Sequence, residues 1–366
     1  MDNPKCTACG GAMKRNGRTS AGAQRRRCGA SMTHRIDASA KALSTFLAWL
    51  FSKRTQGDFG CSSRTFRRKA ERFWETWPLP SYTGEVCDVV FLDGIWVSGL
   101  VVLIACTKEH VLAWHLAESE CSGAWAALMA KLAPPVMAVS DGGPGFAKAA
   151  RAMWPETRIQ RCTFHVFRQV RRCTTSRPKL QAGKELYGLA RDLLKARDAD
   201  AAAKWLAGYA EWCAKWESFL REFAFKDGKR QYVHRELRKA RRALNGLVQT
   251  GTLFTFIEIA EERGGEWDST SNVIEGGVNA RLREMVRNHR GLSRMRRVKA
   301  MFWWCYMHAE APLPAAEILR VMPTDDEVAG LFAMASKPKR RDDGAPEEYE
   351  SGVAWGEFYA AVEYHR

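Results

Sequence analysis

The amino-acid sequence predicts a mixed α/β protein with helical appendages, and three observations point that way. Short runs rich in Val, Ile, Leu and aromatic residues alternate with turn and charged residues between Val86 and Cys162. From Lys184 to about Gly264 the apolar residues recur at the three-and-four step of long helices. Ahead of both lies a basic, cysteine-bearing segment followed by two helix-like stretches.

The composition sets limits on function. With 366 residues, 46% hydrophobic and 27% charged, the chain can bury one large core with small appendages. A formal charge of +16 favours a polyanionic partner, a nucleic acid or an anionic surface. Residues 1 to 80 hold 16 basic and 5 acidic side chains, so +11 of that excess sits at the N-terminus. The longest uncharged apolar stretch, Gly94 to Thr107, is shorter than the roughly 20 residues of a membrane span, and no secretory signal peptide is visible. Eleven cysteines, mostly scattered singly, suit reduced thiols in a cytoplasmic protein.

Taken in order, residues 1–36 read as a zinc-ribbon-like segment. Cys6-Thr7-Ala8-Cys9 forms a knuckle that can hold one side of a tetrahedral zinc, and Cys28 follows after a Lys/Arg/Gly stretch. Ser31 stands where a fourth cysteine is expected, leaving His34 as the nearest substitute. The candidate Zn²⁺ set is therefore Cys6, Cys9, Cys28 and His34, with a degenerate ribbon or basic arm as the alternative. Residues 37–80 read as a helix-turn-helix. Leu43, Phe46, Leu47, Leu50 and Phe51 mark the first helix, and Ser62-Ser63 caps a second whose stripe is Phe66, Ala70, Phe73 and Trp77. Arg64, Arg67, Arg68 and Arg72 lie mostly off that stripe, as on a helix that enters a DNA groove, or on a solvated helical hairpin.

Pro78-Leu79-Pro80 ends this part. A first core segment over 83–176 carries strands at Val86–Leu92, Leu100–Ala105, Val111–His115, Val136–Ser140 and Arg158–Cys162, with helices at Trp125–Leu132 and Phe146–Trp154. An all-helical insertion is expected over 177–265, where Trp205, Tyr209, Trp212, Trp216, Phe219 and Phe223 form a packing stripe. A last core segment over 266–312 is helical from about Asn272. Residues 313–366, including the basic Lys337–Arg341 run and a short helix around Trp355–Tyr364, read as a tail.

The chemistry rests on acids. Asp93 ends the run Val89-Val90-Phe91-Leu92, and Asp141 follows Val139-Ser140; each precedes glycine. A carboxylate at a buried strand end either caps a turn or is neutralised by a cation. Two divalent ions held by hard oxygens suit phosphodiester chemistry, which needs a third acid. Glu275, in Ser271-Asn272-Val273-Ile274-Glu275-Gly276-Gly277, is the candidate, at the edge of a stripe of Ile274, Val278, Leu282 and Met285. The alternative is a capping box with Asn272. Downstream Arg281, Arg283, Arg287 and Arg290 begin a dense basic stretch running to Lys299, suited to phosphate contacts or to a solvated face. Cys162 and His165 form Cys-x-x-His, a pair that could position the site, contact DNA or bind metal.

Together, Phe91-Leu92-Asp93-Gly94, Ser140-Asp141-Gly142, Arg161-Cys162-x-x-His165 and Thr270-Ser271-Asn272-x-x-Glu275-Gly276-x-x-Asn279 resemble bacterial insertion-sequence transposases of the Mutator-like superfamily. The resemblance implies an RNase H-like catalytic core interrupted by a helical insertion. It implies Asp93, Asp141 and Glu275 as ligands of Mg²⁺ or Mn²⁺ in DDE chemistry, with Cys162 and His165 as an accompanying motif. Its partners would be the element's terminal inverted repeats and target DNA, bound by a homodimer or larger homo-oligomer in the bacterial cytoplasm at the nucleoid. A catalytically silent, transposase-derived DNA-binding protein is the competing expectation.

Overall fold

The computed structural model describes residues 4–6, 10–19, 24–28, 33–35 and 38–329. Cys9, Ser31 and the tail beyond residue 329 lie outside the described residues. Two compact units are present. A terminal unit takes residues up to Leu79, with 284–307 and 311–329; a central unit takes 80–283 with 308–310.

The terminal unit opens with an antiparallel meander of β1 (Lys14–Arg18), β2 (Gln24–Arg27) and β3 (Thr33–Arg35). Ahead of it Cys6 and Gly10–Gly11 close a tight turn by backbone bonds of 2.8 Å, and both Cys6 and Cys28 are buried. Helix α1 (Ala38–Leu50) buries Leu43, Phe46, Leu47 and Leu50, as the spacing predicts, while Phe51 falls just past its end and stays exposed. The Ser62 hydroxyl accepts from the Thr65 amide and starts α2 (Ser63–Glu75). Phe66, Ala70 and Phe73 point inward from α2, and Arg64, Arg67, Arg68 and Arg72 are all exposed.

The central unit is built on a five-stranded mixed sheet of β4 (Val89–Val97), β5 (Leu100–Cys106), β6 (Val111–Ala117), β7 (Met137–Ser140) and β8 (Arg158–Arg161), in the order β6-β5-β4-β7-β8. The first three strands form an antiparallel meander, and β4, β7 and β8 run parallel. Parallel neighbours need crossovers. These are α3 (Ser122–Met129), packed with α4 (Pro144–Met153) over one face of the sheet. Trp125 meets Phe146 edge-on at 5.4 Å above Val90, Leu92, Val101 and Leu103, so the core sits under the first three strands. Every residue of β5 is buried, which accounts for its uninterrupted apolar sequence.

After α5 (Thr163–Thr174) come α6 (Gln181–Leu193), α7 (Ala199–Lys215) and the short α8 (Glu217–Leu220). Trp205, Tyr209 and Trp212 are buried as the stripe predicts, their rings in a stacked row. The insertion is not all-helical. The periodicity breaks at Phe223, where β9 (Phe223–Lys226) and β10 (Lys229–Tyr232) form a hairpin. Its two-residue turn, Asp227-Gly228, has φ of 51° and 69°, the left-handed pair that Asp-Gly adopts and that cannot continue a helix. Helices α9 (Arg235–Gln249) and α10 (Thr255–Arg263) follow. The Gln160 side chain ties strand β8 to the Leu253 carbonyl and the Phe256 amide.

A π-helical turn, Val273–Asn279, leads into α11 (Ala280–Asn288). Ile274, Leu282 and Met285 are buried as expected, but Asn279, not Val278, completes the stripe. The extra residue of the π-turn rotates the face by about one position.

Helices α12 (Arg294–Met307) and α13 (Ala315–Val321) return to the terminal unit. Trp77 donates its backbone amide to Pro323 and its indole to Asp325. Trp303 donates to the Phe73 carbonyl, and His289 meets the Leu50 carbonyl at 2.9 Å. Lys299, grouped with the phosphate-contacting basic stretch, is instead fully buried and bonds Trp74 O and Asp325. Among the described residues no helix is long and apolar enough to cross a membrane.

Candidate active site

The first aspartate sits within a strand and not at its tip. Asp93 is the fifth residue of β4, which runs on into the hairpin with β5. What ends at Leu92 is the parallel pairing with β7, whose last pair is Leu92↔Ser140. Asp93 and Asp141 are thus the next residue on each of two adjacent parallel strands. That register makes neighbours of two acids 48 positions apart.

Burial raises Asp93 to about 6, helped by the charge of Asp141 and, more weakly, Glu275; the Gly94 amide and His165 oppose the rise. The Gly94 amide donates to Asp93 Oδ1 at 2.8 Å, and Asn279 Nδ2 donates to Oδ2 at 2.8 Å. The Asn279 Oδ1 is buried and finds no hydrogen-bond partner among the described residues. Carboxylates with a spare amide oxygen form an all-oxygen donor set, which suits a hard divalent cation such as Mg²⁺ or Mn²⁺.

Both glycines after the aspartates admit a side chain. A Cβ on Gly94 would stand 2.7 Å from Glu120 Oε1, and one on Gly142, whose φ is +75°, would stand 2.5 Å from Arg161 Nη1. Glu120 is therefore a fourth acid in the cluster, raised by burial and by Asp141 and held by the Trp96 indole at 3.1 Å. The sequence reading missed it, because Glu118-Ser119-Glu120 has the composition of a solvated turn. The available signal was Gly94 itself, since a glycine inside a strand marks a close approach. Arg161 is half-buried near Asp141, whose charge partly offsets the desolvation that lowers its pKa.

Glu275 does not fold back as a helix cap. Its Oε1 lies 3.2 Å from His165 Nε2 and 3.2 Å from Arg168 Nη1. Behind it the Cys-x-x-His pair forms a chain of contacts: Ser271 donates its amide to Cys162 Sγ at 3.2 Å, and its hydroxyl is 3.5 Å from His165 Nδ1. Burial would raise the Cys162 thiol, but hydrogen bonds from His165 and Ser271 outweigh it and lower the pKa. Burial would lower His165, but the Cys162 bond and the charges of Cys162, Glu275 and Asp141 raise it. His165 thus links Cys162 and Ser271 to Glu275.

Asp93 lies within electrostatic reach of both Asp141 and Glu275, but the three acids are not gathered into one tight cage. Among the described residues, the one trio of His, Cys, Asp or Glu with donor atoms all within 4.8 Å is Glu85, His110 and Glu310. Of the predicted zinc set, Cys6 and Cys28 are buried, Cys9 lies outside the described residues, and His34 stands on β3 opposite Arg26. Arg281, Arg283, Arg287 and Arg290 are all exposed.

The strand order and paired aspartates define a class: a mixed α/β protein with an acid cluster at the junction of its parallel strands. Residues 97–237 match the family described as Transposase, Mutator family. The matched span contains Asp141, Cys162 and His165 and stops short of Asp93 and Glu275. The chain is 27% identical over 194 residues to a probable transposase for an ISRM3-like insertion sequence element of Sinorhizobium fredii, covering 44% of this chain and 46% of that protein. It is 32% identical over 137 residues to the transposase for insertion sequence element IS6120 of Mycolicibacterium smegmatis, covering 33% and 39%. The transposase for ISRM3 of Rhizobium meliloti is 26% identical over 194 residues, covering 44% and 46%. The matches span less than half the length of each relative. The resemblance to Mutator-like insertion-sequence transposases, read from four short motifs, is borne out.

Proposed function

We propose that the chain is a DDE transposase, which binds the inverted-repeat ends of an insertion sequence, cleaves DNA there and transfers the freed 3′ end to a target strand. The observation that carries this reading is the register that makes Asp93 and Asp141 neighbours just past Leu92↔Ser140, with Glu275 in electrostatic reach. Asp93, Asp141 and Glu275 would hold Mg²⁺ or Mn²⁺, which when bound supplies Lewis-acid stabilisation of the attacking and leaving oxygens. The protein's own groups do the rest. Asn279 and the Gly94 amide fix the Asp93 carboxylate, while His165 and Arg168 hold Glu275 from two sides. Arg161, against Gly142, offsets the charge of Asp141.

The same reading extends outward. The order β6-β5-β4-β7-β8, three antiparallel strands followed by two parallel ones, is what an RNase H-like core requires. Helices α1 and α2 serve as a helix-turn-helix, with Arg64, Arg67, Arg68 and Arg72 on DNA phosphates or bases and Arg281, Arg283, Arg287 and Arg290 on further phosphates. The β1–β3 meander serves as the zinc ribbon. A homodimer or larger homo-oligomer on DNA, working at the nucleoid, completes the proposal.

The test is incubation with end-containing DNA and Mg²⁺ or Mn²⁺. Wild-type protein should nick and join; Asp93→Asn, Asp141→Asn and Glu275→Gln should each lose at least about 100-fold in cleavage with end binding nearly intact. Binding without cleavage at any metal concentration would favour the silent DNA-binding protein instead.

A further inference from the structure

The hairpin that interrupts the helical insertion and the helix that follows it enclose an open groove of about 1120 Å³. Seven arginines and lysines line it against one carboxylate, Glu217, which is already committed to Arg221 at 2.7 Å and Arg241 at 2.5 Å. On α9 the side chains of Arg235, Lys239 and Arg242 follow one another at steps of four and three. All three are exposed and, among the described residues, form no ion pair. Such a row spans about 10 Å of helix, close to three phosphate-to-phosphate steps along one DNA strand. Gly246 continues the row, and nothing lies within 4 Å of where its Cβ would be.

The hairpin borders the groove through Arg230 and Tyr232 and carries further rings beside them. Phe223 and Phe225 alternate on β9, and their partners across the ladder are Tyr232 and Arg230, so all four share one face. Arg230 lies 3.8 Å over the Phe223 ring and Arg238 3.6 Å over the Tyr232 ring, fixing both. Phe225, edge-on to Phe223 at 5.9 Å, is 71% exposed. A hydrophobic ring so exposed beside a row of uncommitted cations has the chemistry of a base-stacking platform beside a phosphate track.

We propose that this groove is a second DNA site, which takes an unpaired stretch of a DNA strand with its phosphates on Arg235, Lys239 and Arg242 and a base against Phe225. The inference rests on the reading of the chain as a DNA-processing enzyme and locates a contact outside the carboxylate cluster. A strand opened next to a cut would be held here, away from the acids that cut it.

The experiment uses the full chain and fluorescent DNA in two forms, a blunt duplex and the same duplex with a single-stranded tail carrying 2-aminopurine. Arg235→Glu/Lys239→Glu/Arg242→Glu should weaken tailed-DNA binding at least about 10-fold and reduce the slope of log affinity against log salt by roughly 2. Phe225→Ala, at an exposed position, should leave duplex affinity within about twofold, lose the quenching of the tail's 2-aminopurine and weaken tailed DNA by roughly 5-fold or more. Unchanged affinity, salt slope and quenching in these variants, with wild-type protein still binding and cutting DNA, overturn the groove alone. Equal quenching on a tail of RNA overturns the assignment to DNA. Failure of wild-type protein to bind either DNA overturns both this inference and the proposed function.

Discussion

Asp93 is held in a state that costs folding free energy. Its pKa of about 6 lies above the ordinary 3.8 because burial and Asp141 both disfavour its charge. A folded-state pKa above the unfolded one contributes stability below pH 3.8 that is lost as pH rises through 6. In metal-free protein Asp93→Asn should therefore raise the melting temperature at pH 7.5, by roughly 2–4 °C for each kcal/mol of strain relieved, and change it little at pH 4. Scanning fluorimetry at the two pH values checks this; an equal gain at both would point to packing instead of charge. At this scale the two aspartates were legible because an acid after an apolar run and before glycine is a conspicuous pattern. Glu120 was not, because its neighbours along the chain are polar and only the fold brings it to Gly94. Glu275 lay between, since a cap and a ligand share one spacing; its carboxylate meets His165 and Arg168 instead of capping the helix.

Among the elements, the π-turn at Val273–Asn279 has the sharpest consequence. A regular helix through these residues would turn Val278 inward; the additional residue turns Asn279 inward onto Asp93 instead. Gly276 and Gly277 make the wider turn tolerable, since side-chain crowding is least there. Asn279→Leu, which removes the inward amide from Asp93, should reduce cleavage by at least about 100-fold, with circular dichroism and DNA affinity nearly unchanged. Retained cleavage would mean that Asn279 is dispensable. The helical spacing from Asn272 was legible, but its local widening leaves no mark on apolar periodicity. The hairpin at 223–232 did leave one, in Asp227-Gly228 between alternating aromatics, but the stripe from Trp205 carried the helical step past its end.

At the scale of the whole molecule the terminal unit is assembled from segments far apart in the chain. Trp77 and Asp325 are 248 positions apart, and His289 and Leu50 239. The central unit begins at Pro80, and the return of α12 to the first helices could not be read from either segment alone. Both α1–α2 and α12 carry aromatic faces whose partners lie in the other segment, Phe46 with Trp303 and Trp77 with Phe302. Removing residues 1–79 should thus expose the apolar face of α12 and yield aggregated protein on size-exclusion chromatography, not a soluble truncated enzyme. A monodisperse product would show that α12 finds other cover. The arrangement also imposes an order in time. A chain leaving the ribosome completes nearly all of its central unit by Arg283, while α1 and α2 must wait for residues beyond 300 to close their core. The unit begun first is finished last, so a message cut short after the carboxylate cluster would yield acids in place beside an unfinished N-terminal partner.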